Sequence, residues 1–216
     1  MPTKESRSKK VYRLKVTLSY ITPPIWRRLL VRGDLSLGML HSIIQIAMGW
    51  TNSHLHQFKH GQTIYADASF ELEPDLDESP VLDEYAYTLI QALPGEKTNI
   101  EYIYDFGDGW RHLIAVEKIV DRKDSRGPLA ECLDGKNACP PDDCGGIGGY
   151  MELKKIIKNP KHKEYESMLD WLGNTFDPAA FDKDKVNKFL LNLKSPLISE
   201  SQLARILMKR DGYRDK

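Results

Sequence analysis

The stretch IEYIYDFGDGWRHLIAVEKIV, residues 100–120, decides the fold. Its two ends are rich in Ile, Val and Tyr, which are typical of β-strands. Between them, the FGDG segment at residues 106–109 supplies the residue types that form tight turns. The stretch therefore predicts a long β-hairpin with strands at 100–105 and 110–120.

Upstream of this hairpin, the pattern predicts strands first and then a helix. Apolar and polar residues alternate over residues 12–20, which is the pattern of a half-buried strand, and residues 25–31 predict a second strand beside it. Helical spacing over residues 37–48 predicts a helix that begins after Ser36 and stops at Gly49. Residues 54–66 predict a hairpin bent at Gly61, and residues 85–93 fit a short helix or a strand.

Downstream, residues 122–149 are rich in Gly, Pro, Asp and Cys and predict an irregular loop. Helical patterns follow at 151–158, 163–171, 183–193 and 200–209. Strands followed by helices predict an α+β fold in which a bent, mainly antiparallel sheet packs against the first helix, with C-terminal helices covering another side. We expect a mobile basic tail at 1–10, a single domain at 11–194 and a helical extension at 195–216.

Composition narrows the class of protein. The chain has 216 residues, of which 41% are hydrophobic and 29% charged, and it carries no apolar run of the ~18 residues that a membrane span needs. The N-terminus has no apolar signal region and the three cysteines do not form a secreted disulfide framework, so we expect a cytoplasmic protein. Nucleotide-binding glycine loops, nucleophile elbows and HExxH motifs are absent from the sequence.

The net charge is zero, but its distribution is uneven. Residues 1–32 carry nine Lys or Arg and one Glu, whereas residues 67–108 carry twelve Asp or Glu and one Lys. A basic segment favours a polyanion, and an acidic segment favours a basic partner. The candidate nucleic-acid-binding residues are Lys9, Lys10, Arg13, Lys15, Arg27 and Arg28, and the acidic loop at 67–84 is a candidate protein-binding segment.

The turn of the long hairpin carries candidate catalytic groups. Asp105, Asp108 and His112 lie within eight residues, and carboxylates with an imidazole can hold a divalent cation or move a proton. The alternative is structural: the two aspartates accept hydrogen bonds from turn amides, and His112 faces the core.

Two further groups are candidate metal ligands. His54 and His56 share one face if their segment is extended, and His41 on the helix is a potential third ligand. Cys132, Cys139 and Cys144 are one ligand short of a zinc site, with His112 or Asp143 as a possible fourth. The alternative is that the thiols are buried in a compact Pro and Gly turn. Any metal would be a divalent ion such as zinc.

Several phrases in this order resemble a known family. They are Pro24-Ile-Trp-Arg-Arg28, Leu40-His41 with Met48-Gly-Trp50, His54-Leu-His-Gln-Phe58, Tyr104-Asp-Phe-Gly-Asp-Gly-Trp-Arg-His112, Ala138-Cys-Pro-Pro-Asp-Asp-Cys-Gly-Gly146 with Gly149-Tyr150, and Phe176-Asp-Pro178 with Phe181-Asp182. They resemble the plasmid pRi open-reading-frame-three-like family over residues 12–193. The resemblance implies an association with plasmids or insertion elements, and hence with nucleic acid, without supplying a mechanism.

Three functions are therefore open from the sequence. The first is a nucleic-acid-associated or partner-binding module whose basic strands contact phosphate. The second is a metal-dependent hydrolase that uses the Asp105, Asp108 and His112 hairpin, with the histidines of the His54 segment nearby. The third is a protein-interaction domain that recruits a basic partner through its acidic loop. The sequence names no substrate.

Overall fold

The computed structural model describes residues 10–69, 81–122, 127–173 and 175–210. The predicted tail at 1–10 lies outside these ranges except for Lys10, which is the first residue of a strand. Most of the acidic loop at 67–84 also lies outside them, so its binding role stays a prediction.

The strands and helices follow one another in the order that an α+β protein requires. The strands are β1 (Lys10–Leu18), β2 (Trp26–Arg32), β3 (His56–His60), β4 (Thr63–Ala66), β5 (Val81–Asp83), β6 (Asn99–Tyr104), β7 (Trp110–Asp121) and β8 (Ala130–Lys136). The helices are α1 (Leu37–Met48), α2 (Leu89–Ala92), α3 (Gly146–Ile156), α4 (Tyr165–Trp171), α5 (Lys183–Leu190) and α6 (Glu200–Arg210). In the described ranges, none of these helices has the length and apolar character that a bilayer span requires.

The strands form one eight-stranded sheet in the order β5-β4-β3-β6-β7-β1-β2-β8. All pairs are antiparallel except β4 with β5. The long hairpin is confirmed as β6 and β7, which pair from Tyr104 with Trp110 down to Asn99 with Ala115. The predicted pairing of the first two strands is confirmed as β1 with β2, and the predicted hairpin at 54–66 is confirmed as β3 with β4.

Helix α1 is buried along its whole length. Its start is capped by Ser36 Oγ, which accepts a hydrogen bond from Met39 N at 3.2 Å, and it ends at Gly49, whose φ of 110° suits glycine. A helix that is buried on all sides needs cover on all sides. Here α1 contacts β2 and α5, and Arg210 of α6 donates to the Gln45 carbonyl at 3.1 Å.

The predicted irregular loop at 122–149 is wrong in part, because it contains β8, which pairs with β2. Alternation in β8 is weak, since its buried residues are only Ala130 and Cys132. On the outer edge of β8, a side chain of α5 takes the place of a further strand. The Asn187 side chain accepts a hydrogen bond from Cys132 N at 2.7 Å and donates one to Cys132 O at 2.9 Å. That support comes from 55 residues away and leaves no local trace in the sequence.

Candidate metal centre

The turn between β6 and β7 is built around Asp105. This residue has a φ of 59°, and its Oδ1 accepts hydrogen bonds from the backbone amides of Gly107 at 2.9 Å and Asp108 at 3.2 Å. Such bonds are those of a turn-forming aspartate. They use only one carboxylate oxygen, so Oδ2 is left to face another group.

That other group is His54, which lies just before β3. Its Nε2 is 3.7 Å from Asp105 Oδ2 and 3.2 Å from Asp143 Oδ1. Nε2 is buried, and no atom of the described residues is positioned to form a hydrogen bond with it. The ring packs edge-on against Tyr104, with centroids 5.8 Å apart. His54 therefore points a buried nitrogen at two carboxylates without hydrogen-bonding to either.

These three groups have the spacing of a metal site. Their ligand atoms all lie within 4.8 Å of one another, and they are the one such set of three His, Cys, Asp or Glu among the residues described. Bond lengths of about 2.0–2.2 Å to zinc place tetrahedral ligand atoms roughly 3.4 Å apart. The observed separations of 3.2 and 3.7 Å bracket that value. The third separation, between the two carboxylates, is within 4.8 Å, so the three side chains are close enough to converge on one cation.

Asp143 is held in place by its neighbour Asp142. Asp142 Oδ2 accepts hydrogen bonds from Thr51 N at 3.0 Å and from Thr51 Oγ1 at 2.6 Å, and Asp142 Oδ1 accepts from the Tyr104 hydroxyl at 3.2 Å. The Trp50 indole donates to the carbonyl of Pro140 in the same loop at 3.0 Å. Burial and the adjacent Asp142 carboxylate raise the pKa of Tyr104, which keeps its hydroxyl a donor. Hydrogen bonds around a ligand in this way fix the direction in which it points.

Asp108 connects the hairpin turn to the loop before α3, but it is not part of the cluster formed by His54, Asp105 and Asp143. Its Oδ2 accepts a hydrogen bond from Gly145 N at 3.2 Å. A Cβ at Gly146 would lie 2.7 Å from the Asp108 carbonyl oxygen, so only glycine permits this close approach. The loop at 138–146 is therefore pinned against the hairpin turn, a juxtaposition that the sequence alone does not establish.

His112 lies elsewhere, fully buried on β7. Its Nδ1 is 3.3 Å from the Tyr102 carbonyl oxygen, and its ring packs edge-on against Trp50 at 5.0 Å. Burial lowers its pKa to about 4. Of the predicted trio Asp105, Asp108 and His112, the structure brings only Asp105 into the cluster, and it places His112 in the core as the structural alternative has it.

The cysteines form no three-donor group with other residues of the described chain. Cys132 is buried in β8, Cys139 is buried in the loop, and Cys144 precedes α3. Burial raises the pKa of Cys132 to about 11 and that of Cys144 to about 12, and it raises that of Cys139 well above its ordinary range. Cys132 and Cys139 thus match the buried thiols of the structural alternative, whereas Cys144 is half-buried.

His56 pairs with Glu84, a residue that sequence patterns do not single out. Its Nε2 is 3.0 Å from Glu84 Oε2 and 3.1 Å from Oε1, and its ring stacks on that of His41 with centroids 3.4 Å apart. Burial raises the pKa of Glu84 to about 7 and lowers that of His56 to about 4. Glu84 stands in an acidic run typical of a solvated surface, so nothing local in the sequence reveals that it is fully buried.

The cationic residues of the first strands divide between two faces of the sheet. Arg13 and Arg28 share Glu117, at 3.1 and 2.8 Å, and Lys15 lies over the Trp26 ring on the same face. Three of the candidate residues are not part of this group: Lys9 lies outside the described residues, Lys10 is exposed at the start of β1, and Arg27 is buried on the opposite face. The half-buried Trp26 lies among these cations, with Lys15 and Arg28 over its ring.

Comparison with known proteins gives the family. The family model of the plasmid pRiA4b ORF-3-like proteins matches residues 10–185. The chain belongs to this family. The matched region of this plasmid pRiA4b ORF-3-like protein contains His54, Asp105 and Asp143, whereas α6 lies beyond it.

Two relatives of this plasmid pRiA4b ORF-3-like protein are similar over most of their length. The uncharacterized protein y4hQ of Sinorhizobium fredii is 36% identical over 181 residues, which are 82% of this chain and 89% of the relative. The crystal structure of a protein of unknown function from Methanosarcina mazei Go1 has a TM-score of 0.71 and 35% identity. The match covers 82% of this chain and 96% of that one. The shared fold therefore extends well beyond the hairpin.

Proposed function

We propose that the protein binds one divalent metal ion through His54 Nε2, Asp105 Oδ2 and Asp143 Oδ1. The observation that carries the proposal is the convergence of these atoms within 4.8 Å, with the buried Nε2 lacking a hydrogen-bond partner in the described chain. Imidazole suits zinc and its first-row neighbours, whereas magnesium and calcium prefer oxygen ligands alone. Zinc is therefore the first candidate.

The open geometry of the cluster supports a catalytic use over a structural one. Structural zinc sites close their shell with four protein ligands, whereas catalytic sites take three and leave a position to water or substrate. The Asp143 side chain is 70% exposed, so water reaches the cluster. A metal held there would lower the pKa of bound water to about 7 and generate a nucleophile. This is the metal-dependent hydrolase among the three functions, with His54 and Asp143 in place of Asp108 and His112.

The test is a zinc titration by calorimetry on protein stripped of metal. We expect one site per chain in the wild type and a loss of affinity of about 100-fold or more in His54→Gln and Asp143→Asn. The matched controls are His60→Gln and Asp170→Asn, which alter exposed residues outside the cluster and should bind as the wild type does. Thermal melting of each variant confirms that it is folded.

Two results would overturn the proposal. The first is the absence of stoichiometric binding of zinc, manganese and cobalt by the wild type. The second is unchanged affinity in both ligand variants together with a loss in Cys139→Ser or Cys144→Ser, which would move the metal to the thiols.

Nucleic-acid contact is a second candidate function, favoured by the common face of Arg13, Lys15 and Arg28. Glu117 neutralises part of this charge, so we expect few phosphate contacts. A salt titration of duplex DNA and RNA binding tests it: Lys15→Glu should weaken binding and reduce the salt dependence. No binding at low salt would exclude it.

Recruitment of a basic partner by residues 67–84 and a cytoplasmic location stay predictions.

A further inference from the structure

A cavity opens beside Asp143. It is a groove of about 1020 Å³ between the end of α1, the loop at 138–143 and helices α4 and α5. Aromatic side chains line it at Trp171, Phe176 and Phe181, and Trp171 is half exposed. Asp143 is also one of the lining residues. A groove of this size can take a small organic molecule.

Arg27 lines this groove and is only 3% exposed. Its Nε donates to the Ala47 carbonyl at 2.8 Å, and its Nη1 donates to the carbonyls of Trp26 at 2.8 Å and Lys136 at 3.0 Å. The Phe181 ring lies 4.4 Å from the guanidinium carbon. These contacts use three of the five N–H donors and hold the side chain in one orientation.

The remaining donors, both on Nη2, are not matched by a protein group. Across the described ranges, Nη2 has no hydrogen-bond partner and no carboxylate forms an ion pair with Arg27. Burying a cation without an anion costs free energy, and a guanidinium edge is shaped to bind carboxylate or phosphate. Arg27 is thus a cation held in one orientation, with no carboxylate partner in the described chain, and it lines a groove.

Other charges around the groove agree with an anionic occupant. Lys185 also lines it. Its acidic residues are engaged elsewhere: Asp142 accepts from Thr51 and Tyr104, and Asp182 caps α5 by accepting from Lys185 N at 2.8 Å. Asp143, the remaining acidic lining residue, contacts His54 in the proposed metal centre.

We propose that this groove binds an organic anion, with its carboxylate or phosphate on Arg27 Nη2 and its apolar or aromatic part against Trp171, Phe176 and Phe181. Because Asp143 belongs to both the groove and the cluster, the ligand is the substrate class of the metal centre. This last step rests on the proposed function. The affinity of the groove for anions does not.

The experiment measures binding to metal-free protein, so that no anion can bind through a metal. The probes are phenyl phosphate, benzoate, inorganic phosphate and the neutral benzyl alcohol. We expect one of the two aromatic anions to bind at least tenfold more tightly than inorganic phosphate and benzyl alcohol. The tighter of phenyl phosphate and benzoate identifies the anionic group.

Variants locate the binding in the groove. Ala180 lines the groove and is exposed, so Ala180→Trp fills it without disturbing the core and should weaken binding at least tenfold. Lys185→Gln should weaken it about threefold, whereas Lys183→Gln, outside the groove on the same helix, should leave it unchanged. Arg27→Lys keeps the charge but loses the planar fork, and it should weaken binding at least tenfold.

The proposal fails if benzyl alcohol or inorganic phosphate binds as tightly as the aromatic anions, or if Ala180→Trp binds as the wild type does. It also fails if none of the probes binds. These outcomes are separate from failure of the metal site, because the zinc titration contains no organic anion and this assay contains no metal.

Discussion

Asp105 and Asp143 both hold their backbone in the left-handed region, with φ of 59° and 58°. Such a conformation costs a non-glycine residue about 1 kcal/mol or more, and it persists where the surroundings impose it. Aspartate tolerates it better than most residues because its side chain can bond to local backbone amides. Asp105 uses one oxygen in this way and leaves the second for His54. The strain thus falls on two of the three proposed ligands.

Asp142 should act as a positioning residue for the metal. Its carboxylate holds the 142–143 turn against Thr51 and Tyr104, so Asp142→Ala should free Asp143 to move. We expect zinc affinity to fall about 10- to 100-fold, which is the usual loss when a group that orients a metal ligand is removed. The control Asp170→Ala should keep the wild-type zinc affinity. Calorimetric titration of both variants measures this. Wild-type affinity in Asp142→Ala would show that Asp143 is held without it.

Buried histidines should make the protein sensitive to acid. Burial lowers the pKa of His41 to about 3 and the pKa values of His56 and His112 to about 4. In the unfolded chain these imidazoles have the ordinary histidine pKa of about 6.5. Between about pH 6.5 and 4 the unfolded chain therefore binds protons on these histidines that the native state does not bind. Each histidine therefore contributes stability that is present above pH 6.5. As the pH falls from there toward 4, each loses about 1.4 kcal/mol per pH unit.

Glu84 opposes this trend, because its pKa is raised to about 7 and its stabilising contribution grows as pH falls from 7 toward 4.5. His112→Leu should therefore flatten the dependence of unfolding free energy on pH between 6.5 and 4.5 by about 1.4 kcal/mol per unit. Glu84→Gln should steepen it. Urea melts across this range measure both slopes. Equal slopes in the wild type and the two variants would contradict these protonation states.

At the scale of residues, the local sequence identifies candidate metal ligands, but it does not show which of them lie together in the fold. His54 and Asp105 are recognisable as candidate ligands, and Asp143 is recognisable only as a fourth ligand for the cysteines. Their meeting depends on segments far apart along the chain, which no local pattern encodes. Asp108 and His112 resemble ligands equally well, but one anchors a backbone amide and the other fills the core.

At the scale of elements, the sequence predicts those whose burial follows a regular period. The alternation in β1 and the 3.6-residue spacing in α1 give their positions because each buries one continuous set of side chains. In β8 the period is broken, and an amide side chain of α5 replaces the missing neighbour. Helix α3 likewise begins earlier than expected, at Gly146, because its glycine-rich first turn has no apolar pattern.

The first turn of α3 offers a matched pair of glycines. A Cβ at Gly149 would lie 1.8 Å from the Cys144 carbonyl oxygen, whereas a Cβ at Gly148 would meet nothing within 4 Å. We expect Gly149→Ala to destabilise the protein by about 1–3 kcal/mol through overpacking. Gly148→Ala should stabilise it by about 0.5–1 kcal/mol through helix propensity. Denaturant melts of the two variants measure their free energies of unfolding. Equal changes in the two variants would contradict the close contact between Gly149 and the Cys144 carbonyl.

At the scale of the whole molecule, the candidate site joins parts of the chain that are remote in sequence. The segment before β3, the β6–β7 turn and the loop before α3 each supply one ligand. The groove adds β2 and the C-terminal helices. Fold class follows from the order of elements in the sequence, whereas this assembly follows from tertiary packing.

Metal binding should therefore stabilise the whole fold. At free zinc about 100 times its Kd, linkage gives about 2.7 kcal/mol. For a chain of this size that corresponds to a rise in Tm of about 5–10 °C. Differential scanning calorimetry should show the rise in the wild type and in Asp170→Asn but not in Asp143→Asn. A similar rise in Asp143→Asn would place the bound zinc elsewhere.

The most direct measurement is an anomalous difference map from crystals grown with zinc and collected at the zinc absorption edge. The proposed centre predicts one strong peak per chain, about 2.0–2.2 Å from His54 Nε2, Asp105 Oδ2 and Asp143 Oδ1. A peak on Cys132, Cys139 or Cys144, or no peak near His54 at stoichiometric zinc, would contradict it.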